Sequence, residues 1–316
     1  MKKNTLDHKD KKKSITVIGY FILIVGIAFG LLALVEVYCF YLFSEGGRFH
    51  YEGFGFGSFM FGNIAGQIIA YYLLAVLCIP LGCGHIKFKS WIIPASKTLL
   101  WAWMVVGGPV TILIAFLLFA SKSLSLPAAI LALLFMVLSY LVFPRLLISF
   151  YRNPDVIKTI ENKDNRSYWM NSVPVPVLIL SFLYFFYILI LQIFTLFNGI
   201  FPLFGTFLFG MPGILLLDLS IIIFAILIWG TLQRRPWAWG ASVIWMGLFM
   251  FSTVFTLSRN SYSSLLLGLA FPPEEINILK GIPVQGYHFA VMAGIPLGIT
   301  LLITIINKNH FLKVKE

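Results

Sequence analysis

The chain has 316 residues, of which 59% are hydrophobic and 11% charged, with a net charge of +11. A soluble domain carries roughly 25% charged residues, so this chain has too few polar side chains to cover a water-facing surface of its size. The apolar residues come in runs of about twenty, the length that crosses roughly 30 Å of hydrocarbon. The basic residues sit between and beside those runs, as topology signals and headgroup contacts, which excludes a nucleic-acid partner. The sequence predicts an all-α, polytopic helical membrane protein with about eight transmembrane helices, its partner being the lipid bilayer.

Residues 1–14 are polar and Lys-rich and are expected to be a disordered cytoplasmic tail. The first apolar run, 15–43, is too long for a signal-peptide core and lacks a clear small-x-small cleavage site, so it reads as a retained span. Residues 44–57 alternate glycines with aromatics and read as an interfacial loop, with a re-entrant segment as the alternative. Their glycine spacing is too irregular for a phosphate-binding loop. A second span covers 58–81.

A short basic turn follows, from Gly84 through Lys87, Lys89 and Trp91 to Ala95-Ser96. It has an ungapped echo later in the chain, from Gly230 through Arg234, Arg235 and Trp237 to Ala241-Ser242. Parallel duplication of a four-helix unit is one reading of the echo. Convergence on a common interfacial turn is the other, since the interface itself favours Lys, Arg and Trp.

The third span covers 91–119. A polar turn at 121–125 leads through Pro127 into a fourth span that ends near 150. Residues 151–173 make the longest strongly charged connection. Within it Asn153-Pro154-Asp155 carries helix-start chemistry: a capping Asn, Pro at the first position and an acid near the positive dipole end. Val156, Ile157 and Ile160 then share one face, which predicts a short amphipathic helix on the cytoplasmic membrane surface, with a solvated linker as the alternative. The fifth span is 174–197. An apolar, Gly-broken stretch, 198–209, precedes a sixth span at 212–232, for which an earlier start with a proline kink is the alternative. The seventh span is 237–257. A long connection, 258–286, contains Leu265-Leu266-Leu267 and Pro272-Pro273-Glu274-Glu275 and is expected to lie partly in the outer interface. The eighth span is 287–306, and 307–316 form a basic tail. The spans thus group as a first half, 15–150, and a second half, 174–306.

Of the 23 Lys and Arg residues, all but Arg48, Lys122, Arg259 and Lys280 fall on the face that carries the termini. The positive-inside rule therefore predicts both termini in the cytoplasm. The composition points to the plasma (inner) membrane of a prokaryote.

Ionisable residues within a bilayer are functional candidates because they are costly there. Glu36, Asn63, Gln67, Asp218 and His288 all fall toward the extracytoplasmic side at 1.5 Å rise per residue. They are expected either to converge on an outward-facing polar cavity, with Arg48 or Arg259 as counter-charge, or to make interhelical hydrogen bonds. Asp218 is the leading candidate.

Gly240-Ala241-Ser242-Val243 resembles the Gly-x-Ser turn of rhomboid-type intramembrane proteases. However, Ser242 and His288 fall at opposite ends of their spans, out of hydrogen-bond reach. Glu274-Glu275 resembles the paired glutamates of CAAX-type proteases, but the Arg expected four residues on is missing. Five histidines (His8, His50, His85, His288, His310), none deep in a span, argue against haem. Cys39, Cys78 and Cys83 show no metal spacing and read as free thiols. No Walker motif appears, and no cofactor is expected. Asn165-Arg166-Ser167 is a glycosylation sequon on the predicted cytoplasmic side, where it is inert. Three function classes follow: a transporter or permease, a non-catalytic anchoring or assembly subunit with membrane-complex partners, and a membrane-embedded lipid-modifying enzyme.

Overall fold

The computed structural model describes residues 10–44, 46–51, 53–120, 125–269 and 271–312. Most of the N-terminal tail, most of the turn at 121–125 and the last residues of the basic tail lie outside them. Among the described residues, eight helices are long and apolar enough to cross a membrane. The protein is an all-α, polytopic membrane protein.

The spans are α1 (Lys12–Phe43), α2 (Phe59–Ile86), α3 (Ile92–Ala120), a composite fourth, α8, α9, α10 and α13. The fourth consists of α4 (Leu126–Val137), a π-helical turn (Leu138–Val142) and α5 (Phe143–Arg152). Short α6 (Pro154–Glu161) and α7 (Trp169–Ser172) follow, then α8 (Val175–Leu196), strands β1 (Phe201–Leu203) and β2 (Thr206–Leu208), and α9 (Gly210–Leu232). The chain continues with α10 (Pro236–Arg259), α11 (Tyr262–Leu269), α12 (Pro273–Lys280), α13 (Gly286–Ile306) and α14 (Lys308–Leu312).

The spans pack as four hairpins: α1 on α2, α3 on the fourth span, α8 on α9 and α10 on α13. In each hairpin the two spans are consecutive in the chain and antiparallel, whether the connection is short, as before the fourth span, or long, as between α10 and α13. The third span, α3, also packs on α8 and α13 and so joins the two halves. By contrast α1 lies at the edge, with Phe21, Ile24, Leu31 and Leu34 exposed along it. Such a stripe is what lipid solvates.

The second half has the larger core. Tyr184, Tyr187, Phe224, Met246 and Leu297 are buried where α8, α9, α10 and α13 meet. A buried phenol needs a partner, and Tyr187 Oη reaches Thr300 Oγ1 at 2.7 Å and Pro296 O at 3.1 Å. That carbonyl belongs to the proline inside α13.

Several boundaries and one element differ from expectation. The basic turn ends α2 five residues beyond the predicted 81, because the helix runs on to Ile86. The predicted Asn153 cap is present, its side chain accepting from Asp155 N–H at 2.8 Å. The helix it starts, α6, does not lie on lipid: Val156 and Ile160 are fully buried against Ile15, Ile92 and Tyr151. The stretch 198–209 contains a β-hairpin, with Phe201 opposite Leu208 and Leu203 opposite Thr206. Its tip, Phe204-Gly205, has positive φ at both residues, as a tight hairpin turn requires. The tip is pinned to α10: Ser252 Oγ and Thr256 Oγ1 accept its two N–H groups at 3.0 and 2.8 Å.

On the same face as the hairpin, Glu275 of α12 reaches across to the start of α2. Its carboxylate accepts from Phe59 N–H at 2.8 Å and Met60 N–H at 3.0 Å. A carboxylate on these otherwise orphan donors meets both the hydrogen-bond demand and the helix dipole. Glu275 and Glu274 also raise the pKa of Tyr51 nearby, though its partial burial does so more.

Candidate functional site

The face opposite Glu275 carries the two basic turns and the start of α14; it is called the basic face below. The first turn closes α2 with a left-handed residue, Phe88, at φ 51°. Phe88 N–H donates to His85 O and Lys89 N–H to Gly84 O, at 3.0 and 2.9 Å, satisfying carbonyls at the helix end. Gly84 is required there: a Cβ would come within 2.8 Å of the Trp91 ring.

Behind the turn His85 is fully buried. Its Nδ1 lies 2.7 Å from Leu81 O and its Nε2 2.7 Å from Tyr151 Oη. A carbonyl can only accept, so Nδ1 carries the proton and Nε2 is left to accept from the Tyr151 hydroxyl. The pair ties α2 to α5, with Ser96 of α3 beside Tyr151. Gly19 lets α1 cross directly over His85, where a Cβ would stand 2.7 Å from that of the histidine.

The connection between the halves docks on this turn. Asp164 accepts from Ser90 N–H at 3.2 Å and Arg166 N–H at 3.4 Å, with Lys89 Nζ at 3.9 Å. Ser90 Oγ in turn donates to Arg166 O at 3.0 Å and accepts from Asn171 Nδ2 at 2.8 Å. Burial alone would push the Asp164 carboxyl up. The Ser90, Tyr168 and Arg166 hydrogen bonds and the Lys89 charge outweigh it and hold the carboxyl below its ordinary value.

Between this connection and the starts of α3 and α8 lies a groove of about 630 Å³, lined by Ser90, Glu161, Asp164, Arg166, Asn171 and Pro174 among others. A second cleft, of about 200 Å³, is walled by Leu77, Pro80, Ala95, Leu99 and Phe182, with Thr98 its one polar side chain apart from the Trp91 indole. It is set between α2, α3 and α8. Met170 lines both. The groove mixes charged and polar side chains with apolar ones, whereas the cleft is apolar. At ~1.5 Å per residue, the cleft reaches from the level of Thr98, about 9 Å along α3, to that of Val76, about 15 Å up α2.

The five residues singled out from the sequence line neither cleft. Glu36 is half-exposed on α1, while Asn63 and Gln67 are one turn apart on α2, exposed and half-exposed. Asp218 is exposed on α9. Among the described residues, none of these four side chains makes a hydrogen bond or ion pair. His288 sits in the first turn of α13, its Nδ1 accepting from Gln285 N–H at 2.9 Å and its ring 3.7 Å from that of Phe116. Glu36 belongs to a helix packed along α2 and Asp218 to one packed along α8, so the two acids stand on different hairpins. Arg259 lies over the Phe255 ring at 5.3 Å. Of the turn residues, Lys87 and Arg235 are exposed, Lys89 faces Asp164, and Trp91 and Trp237 cover Gly84 and Gly230. Sequence reading passed over His85, Asp164 and Asn171, whose importance comes from partners distant in sequence, and Thr98, whose importance comes from its place in the cleft wall. The echo around His85 was the only signal for any of them.

Among the described residues no three His, Cys, Asp or Glu side chains gather as a metal site. The fold and clefts define a helical membrane protein with a two-part cavity at the junction of its halves. The chain matches no protein-family model, no curated protein and no solved structure.

Proposed function

We propose that this protein is a permease-type transporter whose two four-helix halves shift against each other. One observation supports this above others. Gly107-Gly108-Pro109 lies at the middle of α3, and the π-helical turn of the fourth span packs against it, the Tyr140 ring filling the space over Gly107. Pro109 removes one helical N–H from α3 and the π-helical turn departs from regular α-helix, and transporters use such points where helices bend around a site. The same helix, α3, packs on the second half. In this reading the basic face is cytoplasmic, as the Lys/Arg bias favours. Glu36, Asn63, Gln67 and His288 are then the polar groups an outward-open state would expose.

Spin labels at Lys87→Cys and Arg235→Cys, with Cys39, Cys78 and Cys83 replaced by Ser, measure the separation of the two turns in nanodiscs. Two distance populations, their balance moving with pH or lipid composition, are expected. A single narrow distance that nothing moves would sink the transport reading.

A second reading, a subunit of a membrane complex, draws on Asp218. It lies about 12 Å from the start of α9 at ~1.5 Å per residue, in a lipid-facing stripe of Leu215, Leu219, Ile222 and Ile226. A carboxylate there is expensive without a partner, and a polar or basic group from a neighbouring chain would supply one. Affinity purification in mild detergent with mass spectrometry tests this. A stoichiometric protein partner that Asp218→Leu releases is expected, and retention unchanged by the substitution excludes it.

A further inference from the structure

The groove and the cleft share Met170 and differ in character, the groove carrying charged and polar side chains at the basic face and the cleft being apolar. We propose that together they form one binding site for an aminophospholipid of the leaflet at the basic face. The headgroup occupies the groove and part of one acyl chain the cleft. The ligand chemistry is a phosphate monoanion, a primary ammonium and a hydrocarbon chain on one molecule.

Three features carry the assignment. Arg166 and Glu161 both line the groove, are exposed, and make no side-chain hydrogen bond or ion pair among the described residues. One free guanidinium and one free carboxylate complement a zwitterion: Arg166 takes the phosphate as a planar fork, and Glu161 accepts from the ammonium. Asp164 is not free for this role, because two backbone N–H groups and Lys89 already occupy it. Second, the cleft walls are aliphatic and aromatic, from Leu77, Pro80, Leu99 and Phe182, which suits a chain and no polar solute. Third, the Thr98 hydroxyl lines the cleft, is 4% exposed, and has no hydrogen-bond partner. A buried hydroxyl without a partner is uncommon and costly. At the depth of Thr98, just below the groove, the ester carbonyl of a glycerolipid is an acceptor for it. A quaternary ammonium has no N–H to give Glu161, and an anionic glycerol headgroup leaves Glu161 facing like charge, so the site discriminates among phospholipids.

The site does not depend on the transport reading. Native mass spectrometry of the full chain in detergent micelles tests it with phosphatidylethanolamine, phosphatidylcholine and phosphatidylglycerol, and with soluble phosphoethanolamine as competitor. Preferential retention of phosphatidylethanolamine is expected. Arg166→Gln and Glu161→Gln should each weaken it by about tenfold, as loss of a charge-assisted hydrogen bond implies. Thr98→Val should weaken it by a smaller factor. None of the three variants should unfold below the parent's temperature, because none of these side chains bonds within the protein. Equal retention of the three lipids, or indifference to all three substitutions, identifies annular lipid and overturns the site. Displacement by phosphoethanolamine at the lipid's own concentration overturns the lipid assignment in favour of a soluble solute. Selective lipid binding with an invariant distance between the labelled turns leaves the site standing and removes transport alone.

Discussion

The two basic turns are one structure used twice, with different surroundings. Position for position, the second turn repeats the first. Arg234 takes the left-handed conformation of Phe88, with φ 54° against 51°. Arg234 N–H donates to Thr231 O and Arg235 N–H to Gly230 O, both at 2.9 Å, matching the bonds of Phe88 and Lys89. Gly230 lies under Trp237 as Gly84 lies under Trp91. Ser242 stands beside Tyr184 as Ser96 stands beside Tyr151. The agreement extends to hydrogen bonds, backbone hand and packing, beyond the Lys, Arg and Trp that an interfacial location alone asks for. The surroundings then diverge. Where the first turn has His85 bonded to Tyr151, the second has Thr231, buried and without a partner for its hydroxyl. Where the first has Ser90, held by Asn171 and donating its N–H to Asp164, the second has Pro236, which has no N–H to give. The comparison teaches that the turn itself is architecture, and that the additions around the first copy are what form the groove.

The largest expected effect breaks the symmetry at its centre. His85→Ala removes a buried ring and deprives the Tyr151 hydroxyl of its acceptor, and should destabilise by about 3 kcal/mol. Thr231→Val, at the matching position, should be neutral or stabilising by up to about 1 kcal/mol, since it deletes an unpartnered hydroxyl. Unfolding of both variants in detergent measures the pair, and equal losses would mean that the His85–Tyr151 bond adds nothing to the first turn.

A smaller effect separates the turns by pH. The Asp164 carboxyl is held below its ordinary 3.8, so the contribution of the docked connection is complete at neutral pH. It is lost as pH falls from about 4 through the folded-state value, where the carboxyl takes up a proton and its bonds weaken. Hydrogen exchange, corrected for intrinsic rates, should quicken at 154–172 on acidification and not at 230–240. Asp164→Asn should reproduce that pattern at pH 7. Similar acid sensitivity in both turns would show that Asp164 is not what secures the connection.

Much of this fold is legible in the sequence because membrane spans are defined by length and apolarity, which need no knowledge of neighbours. The Asn153 cap was legible for the same reason, being local chemistry. The β-hairpin was hidden because 201–208 are apolar at nearly every position, so no alternation marks a strand. Its tip is held by Ser252 and Thr256 from a distant helix. The candidate site was less legible still. Asp164 and Ser90, or His85 and Tyr151, meet only once α2, α3 and α5 have packed. In the same way, Asp218 and Glu36 are conspicuous as intramembrane acids. Their helices are apolar on every face, so the sequence does not reveal which way either points.

Glu275 bears on biosynthesis. The helix start it caps belongs to the second span made, while the carboxylate itself arrives only with the connection between the seventh and eighth. An inserting chain therefore holds Phe59 and Met60 N–H groups uncapped through the synthesis of five further spans, with lipid headgroups or water as their interim partners. Closure of that face is then a late event, available only to a chain whose last hairpin has entered the membrane in the correct orientation. A nascent chain stalled or inverted before that point would leave the second span frayed at its beginning, a local mark by which incomplete insertion could be recognised.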